Sequence, residues 1–154
     1  MKVLFVEAKA YKDATESIEK NLPELKKYKT IAVVGMSSSQ ERDSYKVAKY
    51  LQEVGYKIIL VNPGLRGMKI LGETCRPSLR SVEQPIEIVD IFRKPEYVPE
   101  IVDEAIEVGA KVVWMQLGVV NEEAAKKAVD AGLMVVMDKC IKLEHNWFVT
   151  HQML

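Results

Sequence analysis

The chain has 154 residues, of which 48% are apolar and 29% charged, and its 22 basic side chains balance its 22 acidic ones. That length fits one domain with its own core. The balanced charge excludes the strong positive field on which sequence-independent nucleic-acid binding and attachment to anionic membranes rely. Two cysteines are too few for a secreted disulfide scaffold, so we expect reduced thiols in a soluble cytoplasmic protein without nucleic-acid or membrane partners.

The N-terminal part of the chain precedes any regular pattern. We expect an extension over residues 1–27, with a helix from about Ala14 to Tyr28 that Pro23 bends or splits, and then a single domain over residues 28–154. The apolar run Val3–Val6 is too short for a signal peptide or a membrane span. It fits an edge strand or a contact with a partner, so a homodimer stays among the options.

Five short apolar runs rich in Val and Ile recur along the rest of the chain. Strands that are buried on both faces have this near-continuous pattern, which is typical of a parallel sheet. The runs are Ile31–Val34, Ile58–Val61, Ile86–Phe92, Val112–Met115 and Leu133–Met137. They predict about five parallel strands.

Segments with helical periodicity separate the runs, with apolar side chains on one face around Val47, Val102 and Ala125. Three of these segments end in a glycine just before the next run, as expected where a left-handed glycine closes a helix. These glycines are Gly55, Gly109 and Gly132. Alternating helices and parallel strands predict a doubly wound, Rossmann-like α/β domain with helices on both faces of the sheet.

Two local features refine this prediction. Asn121, followed by two glutamates, is expected to cap the helix that it precedes. The stretch from Gly64 to Ser81 lacks strong periodicity, and we expect a loop there with a short helix near Ser78–Val82.

In an open α/β sheet the ligand lies beyond the carboxyl ends of the strands, so the residues that follow each run form the candidate site. The first run ends at Gly35, where the backbone can turn sharply, and three consecutive serines follow shortly after. Loop amides, hydroxyls and the N-terminus of the next helix together suit an anion, phosphate above all. A solvated turn with a helix cap at Asp43 or Ser44 explains the same residues about as well.

The second run ends in Asn62-Pro63, where dinucleotide enzymes usually carry an acidic residue that binds the ribose. Neither G-x-G-x-x-G nor G-x-x-x-x-G-K-[ST] occurs in the first loop. NAD is therefore disfavoured. The cations Arg66 and Lys69 follow closely and favour a further phosphate on the adenosine side of the ligand.

The sequence offers no catalytic constellation. It contains no evident pair of carboxylates, no Ser-His-Asp order and no metal cluster, so we predict binding without a reaction and without a metal. Cys140 follows the last run beside Lys139, and a neighbouring cation favours the reactive thiolate. The alternative is that Cys140 is simply buried, as free cysteines often are.

An ordered set of motifs resembles the coenzyme A-binding protein family, small Rossmann-type proteins related to the N-terminal domain of the succinyl-CoA synthetase alpha subunit. The resemblance covers about residues 28–147. Its motifs include Gly35-x-Ser37, Arg42-x-Ser44-Tyr45, Val61-Asn62-Pro63, Asp90-x-Phe92-Arg93, Trp114-x-Gln116-Leu117-Gly118 and Asp138-x-Cys140.

The resemblance implies that the chain binds coenzyme A (CoA) or acyl-CoA, with the CoA phosphates over the loop from Gly35. By similarity, Ser37, Ser38, Ser39 and Gln40 line the pyrophosphate, Asn62 and Pro63 border the nucleotide, and Phe92, Arg93 and Lys94 form the other wall. Gln116, at the end of the fourth run, completes the expected site. The candidates for the 3′-phosphate are Arg42, Lys69 and Arg93.

Other functions stay open at this point. The chain fits a component of a CoA ligase that works with separate catalytic subunits. It also fits an NAD(P)- or redox-responsive regulator that uses Cys140, or an interaction protein whose site is vestigial.

Overall fold

The computed structural model describes residues 25–151. The run Val3–Val6 lies outside these residues, as does the predicted N-terminal helix up to residue 24. Within the described part of the chain, no helix is long and apolar enough to cross a membrane.

The central sheet has five parallel strands in the order β2-β1-β5-β6-β7, which confirms the predicted Rossmann-like α/β class. A small antiparallel hairpin of β3 and β4 contacts β2 at the edge of this sheet. The strands are β1 (Thr30–Val34), β2 (Lys57–Val61), β3 (Lys69–Ile70), β4 (Glu73–Thr74), β5 (Ile88–Ile91), β6 (Val112–Met115) and β7 (Met134–Val136).

Helices cover both faces of the sheet because its strands are apolar on both sides. Helices α1 and α4 pack against each other over one apolar cluster, and α2 and α3 pack together over the other. The helices are α1 (Asp43–Glu53), α2 (Val98–Glu107), α3 (Glu122–Asp130) and α4 (Ile141–Thr150), and short 3-10 turns span Pro63–Leu65 and Pro95–Tyr97.

The helix ends follow the sequence signals. The three glycines that close α1, α2 and α3 all have positive φ, as predicted. The Asn121 side chain caps α3, because its Oδ1 accepts a hydrogen bond of 2.9 Å from the Ala124 amide.

The prediction of a short helix near Ser78–Val82 is wrong. The chain forms a turn there, in which the Ser81 hydroxyl donates to the Ser78 carbonyl at 2.7 Å and the Ser81 amide donates to the Ser78 hydroxyl at 3.2 Å. Serine side chains that bond to nearby backbone compete with helix formation. The connection from β2 to β5 therefore crosses the sheet without an α-helix.

One carboxylate is buried in the middle of the sheet. Asp90 lies in β5, in register with Val33 of β1 and Trp114 of β6. It is 0% exposed, and neither carboxylate oxygen has a hydrogen-bond partner within residues 25–151. Burial raises the pKa of Asp90 well above its usual range, because a charge without partners is strongly disfavoured in an apolar interior.

This burial predicts how stability changes with pH. Below about pH 4, the ordinary pKa of an aspartate, both the folded and the unfolded chain hold the Asp90 proton. As the pH rises further, the unfolded chain releases it first, so this group lowers the free energy of unfolding by up to about 1.4 kcal/mol per pH unit until the folded carboxyl also titrates. Asp90→Asn removes that loss.

Urea unfolding of the wild-type chain and of Asp90→Asn over a series of pH values checks this expectation. The variant should gain stability relative to the wild type as the pH rises. Asp130→Asn, at the exposed end of α3, controls for the removal of one negative charge. Free energies of unfolding that change equally with pH in the wild type and in Asp90→Asn would contradict the raised pKa of Asp90.

Candidate ligand site at the carboxyl edge of the sheet

The strand order changes direction between β1 and β5. From β1 the chain moves outward to β2 and then crosses back over β1 to β5. The loops that leave β1 and β5 therefore diverge to opposite faces of the sheet. In doubly wound folds the crevice at this point is where ligands bind.

Gly35 brings the loops after β1, β2 and β5 together. Its φ is +89°, and its amide donates a 2.9 Å hydrogen bond to the Val61 carbonyl at the end of β2. A Cβ at this position would contact the Phe92 carbonyl group, 2.9 Å from its carbon, and would lie 3.1 Å from Cδ of Arg93. Only glycine permits both this backbone conformation and this close approach.

The loop after Gly35 is held in shape by its own serines. The Ser37 amide donates to the Ser44 hydroxyl oxygen at 3.0 Å, and the Ser39 amide donates to the Ser37 hydroxyl oxygen at 3.0 Å. Arg42 occupies the N-cap position of α1 without a side-chain cap. The alternative of a helix cap at Asp43 or Ser44 is therefore wrong, because Ser44 lies inside the first turn and its hydroxyl holds the loop.

Several donors of this loop have no acceptor within the described residues. Ser38, Ser39 and Gln40 are exposed. Within residues 25–151, the backbone amides of Ser38, Gln40 and Glu41 donate to no protein atom. These amides lie just before the N-terminus of α1, where the partial positive charge of a helix adds to their own.

Asn62 connects the β2 exit to this loop. Its Nδ2 donates to the Met36 carbonyl at 2.7 Å, and its Oδ1 accepts from the Gly64 amide at 2.9 Å. Both ends of the side-chain amide are thus used within the protein. Asn62 therefore positions the loop.

Two cavities open at this edge of the sheet, and Arg93 lines both. The first, of about 350 Å³, lies between the exits of β1 and β2 and helix α2. The second, of about 580 Å³, lies between the N-termini of α1 and α4 and the exits of β5 and β6.

Charges of both signs surround the first cavity. The guanidinium of Arg93 lies over the Tyr97 ring, 4.4 Å from its centre. Arg80 donates to both oxygens of Glu107, at 2.5 and 2.9 Å, and to Glu104 at 3.1 Å. The hydrogen bonds to Glu107 raise the pKa of Arg80 and lower the pKa of Glu107.

The second cavity combines a buried amide, a thiol and cations. Gln116 is 4% exposed, and its Oε1 accepts a 2.9 Å hydrogen bond from the Ile141 amide at the start of α4. Cys140 is the partly exposed N-cap residue of the same helix. The cations that line this cavity are Lys46, Arg93, Lys94 and Lys142.

Six of the thirteen residues expected at the site line these two cavities, and the others lie in the adjoining loops or, in one case, in β3. Lys69 lies in β3 and lines neither cavity. The loop from residue 37 to residue 42 runs from Gly35 at the first cavity to Asp43 at the second. Gly35, Pro63 and Arg93 line the first cavity, and Phe92, Arg93, Lys94 and Gln116 line the second.

Sequence reasoning missed the α2 wall of the first cavity. Glu100, Asp103 and Glu104 line it, together with Arg80 from the crossing loop. A signal for the acids existed, because positions 100, 103, 104 and 107 share one helical face. Arg80 lies in a stretch without periodicity, so its partners on α2 were not visible in the sequence.

Comparison with known proteins identifies relatives along most of the chain. An uncharacterised protein of Bacillus subtilis, YneT, is 43% identical over 121 residues, which are 79% of this chain and 88% of the relative. The structure of a hypothetical protein from Pyrococcus horikoshii OT3 has a TM-score of 0.81 at 44% identity and covers 85% of this chain and 92% of its own.

A more distant likeness concerns the fold alone. An acetyl-coenzyme A synthetase from Ca. Korarchaeum cryptofilum, in complex with phosphate and ADP, has a TM-score of 0.64 at 20% identity, over 76% of this chain and 27% of the synthetase. The CoA binding domain family matches residues 29–146, from the residue before β1 into α4. The chain therefore belongs to the CoA binding domain family.

Proposed function

We propose that this protein binds CoA or acyl-CoA, with the diphosphate of the ligand on the loop from Gly35 to Arg42. The observation that carries the proposal is the approach of Gly35 to the Phe92 carbonyl, which leaves no room for a side chain at the point where the strand order reverses. Backbone that must come this close to a ligand or to another loop requires glycine. Membership of the CoA binding domain family supports the choice of ligand.

The donors of the loop suit a diphosphate. The amides of Ser38, Gln40 and Glu41, just before the N-terminus of α1, have no acceptor in the described chain. Oriented amides and a helix N-terminus together stabilise phosphate oxygens. Because the loop is already held by Ser37 and Ser44, little ordering is needed when the ligand binds.

The two cavities suit the two ends of CoA. Their volumes, about 350 and 580 Å³, lie in the usual range of small-molecule sites. The first adjoins the β2 exit, where Pro63 offers an apolar border for a nucleotide. The loop then leads past Arg93 to the second cavity, which suits the long amide arm of the coenzyme.

Among Arg42, Lys69 and Arg93, we assign Arg93 to a CoA phosphate. It lines both cavities, whereas Lys69 lines neither and Arg42 is an exposed N-cap residue. Stacking on Tyr97 limits the freedom of the Arg93 guanidinium before the ligand arrives.

The proposed activity is binding without a reaction at this site. The residues that line the two cavities provide cations, carboxylates and one thiol, and they include no histidine. These side chains suit a protein that holds or delivers the coenzyme.

The ligand preference can be measured by calorimetric titration with CoA, dephospho-CoA and NAD. CoA should bind most tightly, since dephospho-CoA lacks the 3′-phosphate and NAD lacks both that group and the amide arm. Mass analysis of ligand retained by the purified protein provides an independent check. Binding of NAD as strong as that of CoA would overturn the proposal.

Gly35→Ala should abolish CoA binding, because the new methyl group would occupy the space against the Phe92 carbonyl. The matched control is Gly72→Ala. Gly72 also has a positive φ, of +80°, but nothing lies within 4 Å of the position that a methyl group would take there, so this variant carries only the backbone cost of about 1–2 kcal/mol. Titrations at a temperature where circular dichroism shows both variants folded should give wild-type affinity for Gly72→Ala alone; equal affinities would refute the role of Gly35.

Arg93→Gln should weaken CoA binding about ten- to a hundredfold, since a hydrogen bond to a charged group contributes about 1.5–3 kcal/mol. Lys69→Gln makes the same change of charge on β3, away from both cavities, and should change the affinity less than about twofold at physiological salt because of screening. A larger loss for Lys69→Gln would reverse the assignment of the phosphate-binding cation.

A further inference from the structure

We infer that the second cavity is a covalent capture site, in which Cys140 exchanges with a disulfide of CoA and retains one CoA as a mixed disulfide. This inference rests on the proposed function, because it requires the amide arm of the coenzyme to enter the cavity beside Cys140. It adds a reaction and a redox-dependent outcome to a site that otherwise only binds.

Gln116 indicates that the cavity takes a ligand with a hydrogen-bond acceptor. The side chain is 4% exposed and lines the cavity. Its Oε1 is fixed by the Ile141 amide, whereas its Nε2 donates to no protein atom within residues 25–151. Within the described residues the fully buried side-chain atoms without a partner are the two Asp90 oxygens, so the Gln116 N–H₂ group keeps enough access to donate to an acceptor that enters the cavity. The amide carbonyls of the CoA arm have the required chemistry.

The position of Cys140 suits exchange. It lines the same cavity, one residue before the Ile141 amide that orients Gln116. Lysines from α1, from the β5 exit and from α4 line the same cavity. They attract the phosphates of an approaching coenzyme disulfide, which carries a larger negative charge than a simple disulfide does.

Cys75 provides an internal comparison. It is 1% exposed, and burial raises the pKa of its thiol. Its Sγ lies 3.8 Å from the Asn62 carbonyl oxygen and 3.9 Å from that of Arg76, and it belongs to the apolar cluster under α1 and α4. Thiols in such surroundings react slowly, so exchange is restricted to Cys140.

The exchange is balanced without any further oxidant. Cys140 loses its proton to solvent, and its thiolate attacks one sulfur of the CoA disulfide. The S–S bond of that disulfide breaks as the bond between Sγ and the attacked sulfur forms. The second CoA leaves with the electron pair as a thiolate and takes up a proton from water. The Cys140 sulfur is oxidised, and the sulfur of the departing CoA is reduced.

The test uses the full chain in its reduced form, incubated with CoA disulfide and analysed by intact mass and by peptide mapping. We expect one CoA adduct per chain, on Cys140, which dithiothreitol reverses. Cys75→Ser should react and bind CoA as the wild type does, and Cys140→Ser should not react. An adduct on Cys75, or none on either cysteine of a chain that binds CoA, would overturn the inference and leave the proposed function standing.

A second disulfide reagent distinguishes recognition of CoA from simple reactivity of the thiol. Cystamine, which lacks phosphates, should react with Cys140 far more slowly than CoA disulfide does, at least tenfold at equal concentration. Gly35→Ala should slow the reaction with CoA disulfide and leave that with cystamine unchanged. Equal rates for the two disulfides in the wild-type chain would show that the cavity does not select CoA, and failure of reduced CoA to bind at all would refute the proposed function itself.

Discussion

The close approach between Gly35 and the exit of β5 determines the geometry of the whole carboxyl edge. Two parallel strands lie side by side in register from Ile31 and Ile88 onward, and their continuations must separate to opposite faces of the sheet. The chain achieves this separation with a left-handed glycine directly against the Phe92 carbonyl. The two cavities lie on either side of this contact, and Arg93 reaches both because it immediately follows it.

The neighbouring strands support this contact through hydrogen bonds to the loop. The Val61 carbonyl accepts from both the Gly35 and the Met36 amides, at 2.9 and 3.3 Å, and the Asn62 side chain donates to the Met36 carbonyl. The backbone groups nearest the turn are therefore satisfied by β2, and the unpaired amides, those of Ser38, Gln40 and Glu41, come later. This order leaves the donors without acceptors on a preformed loop, which lowers the entropy cost of the binding that we propose.

The sequence predicted the sheet well because strands buried on both faces need continuous apolar runs. The run Val112–Met115 coincides with β6, and Asn121 caps α3 as its position indicated. Side-chain hydrogen bonds were harder to predict from the sequence. The bond between Ser37 and Ser44 spans a loop whose path no periodic pattern specifies. Gly35 and Gln116 could be placed at the carboxyl edge of the sheet because each follows a predicted strand. The pairing of Arg80 with α2 could not be predicted, because it depends on how the 26-residue connection 62–87 folds back over the core.

The ion pairs of α2 affect the electrostatic field in the first cavity. The α2 wall carries Glu100, Asp103 and Glu104, which by themselves would repel a phosphate. Arg80 pairs with Glu104, and Lys127 of α3 pairs with Asp103 at 2.9 Å. Exposed pairs of this kind contribute little to stability, so their main effect is on the local field. They neutralise part of the acidic wall, because Glu100 takes part in no ion pair within residues 25–151. Arg93, beside the glycine that brings the loops together, lines the cavity and takes part in none of these pairs.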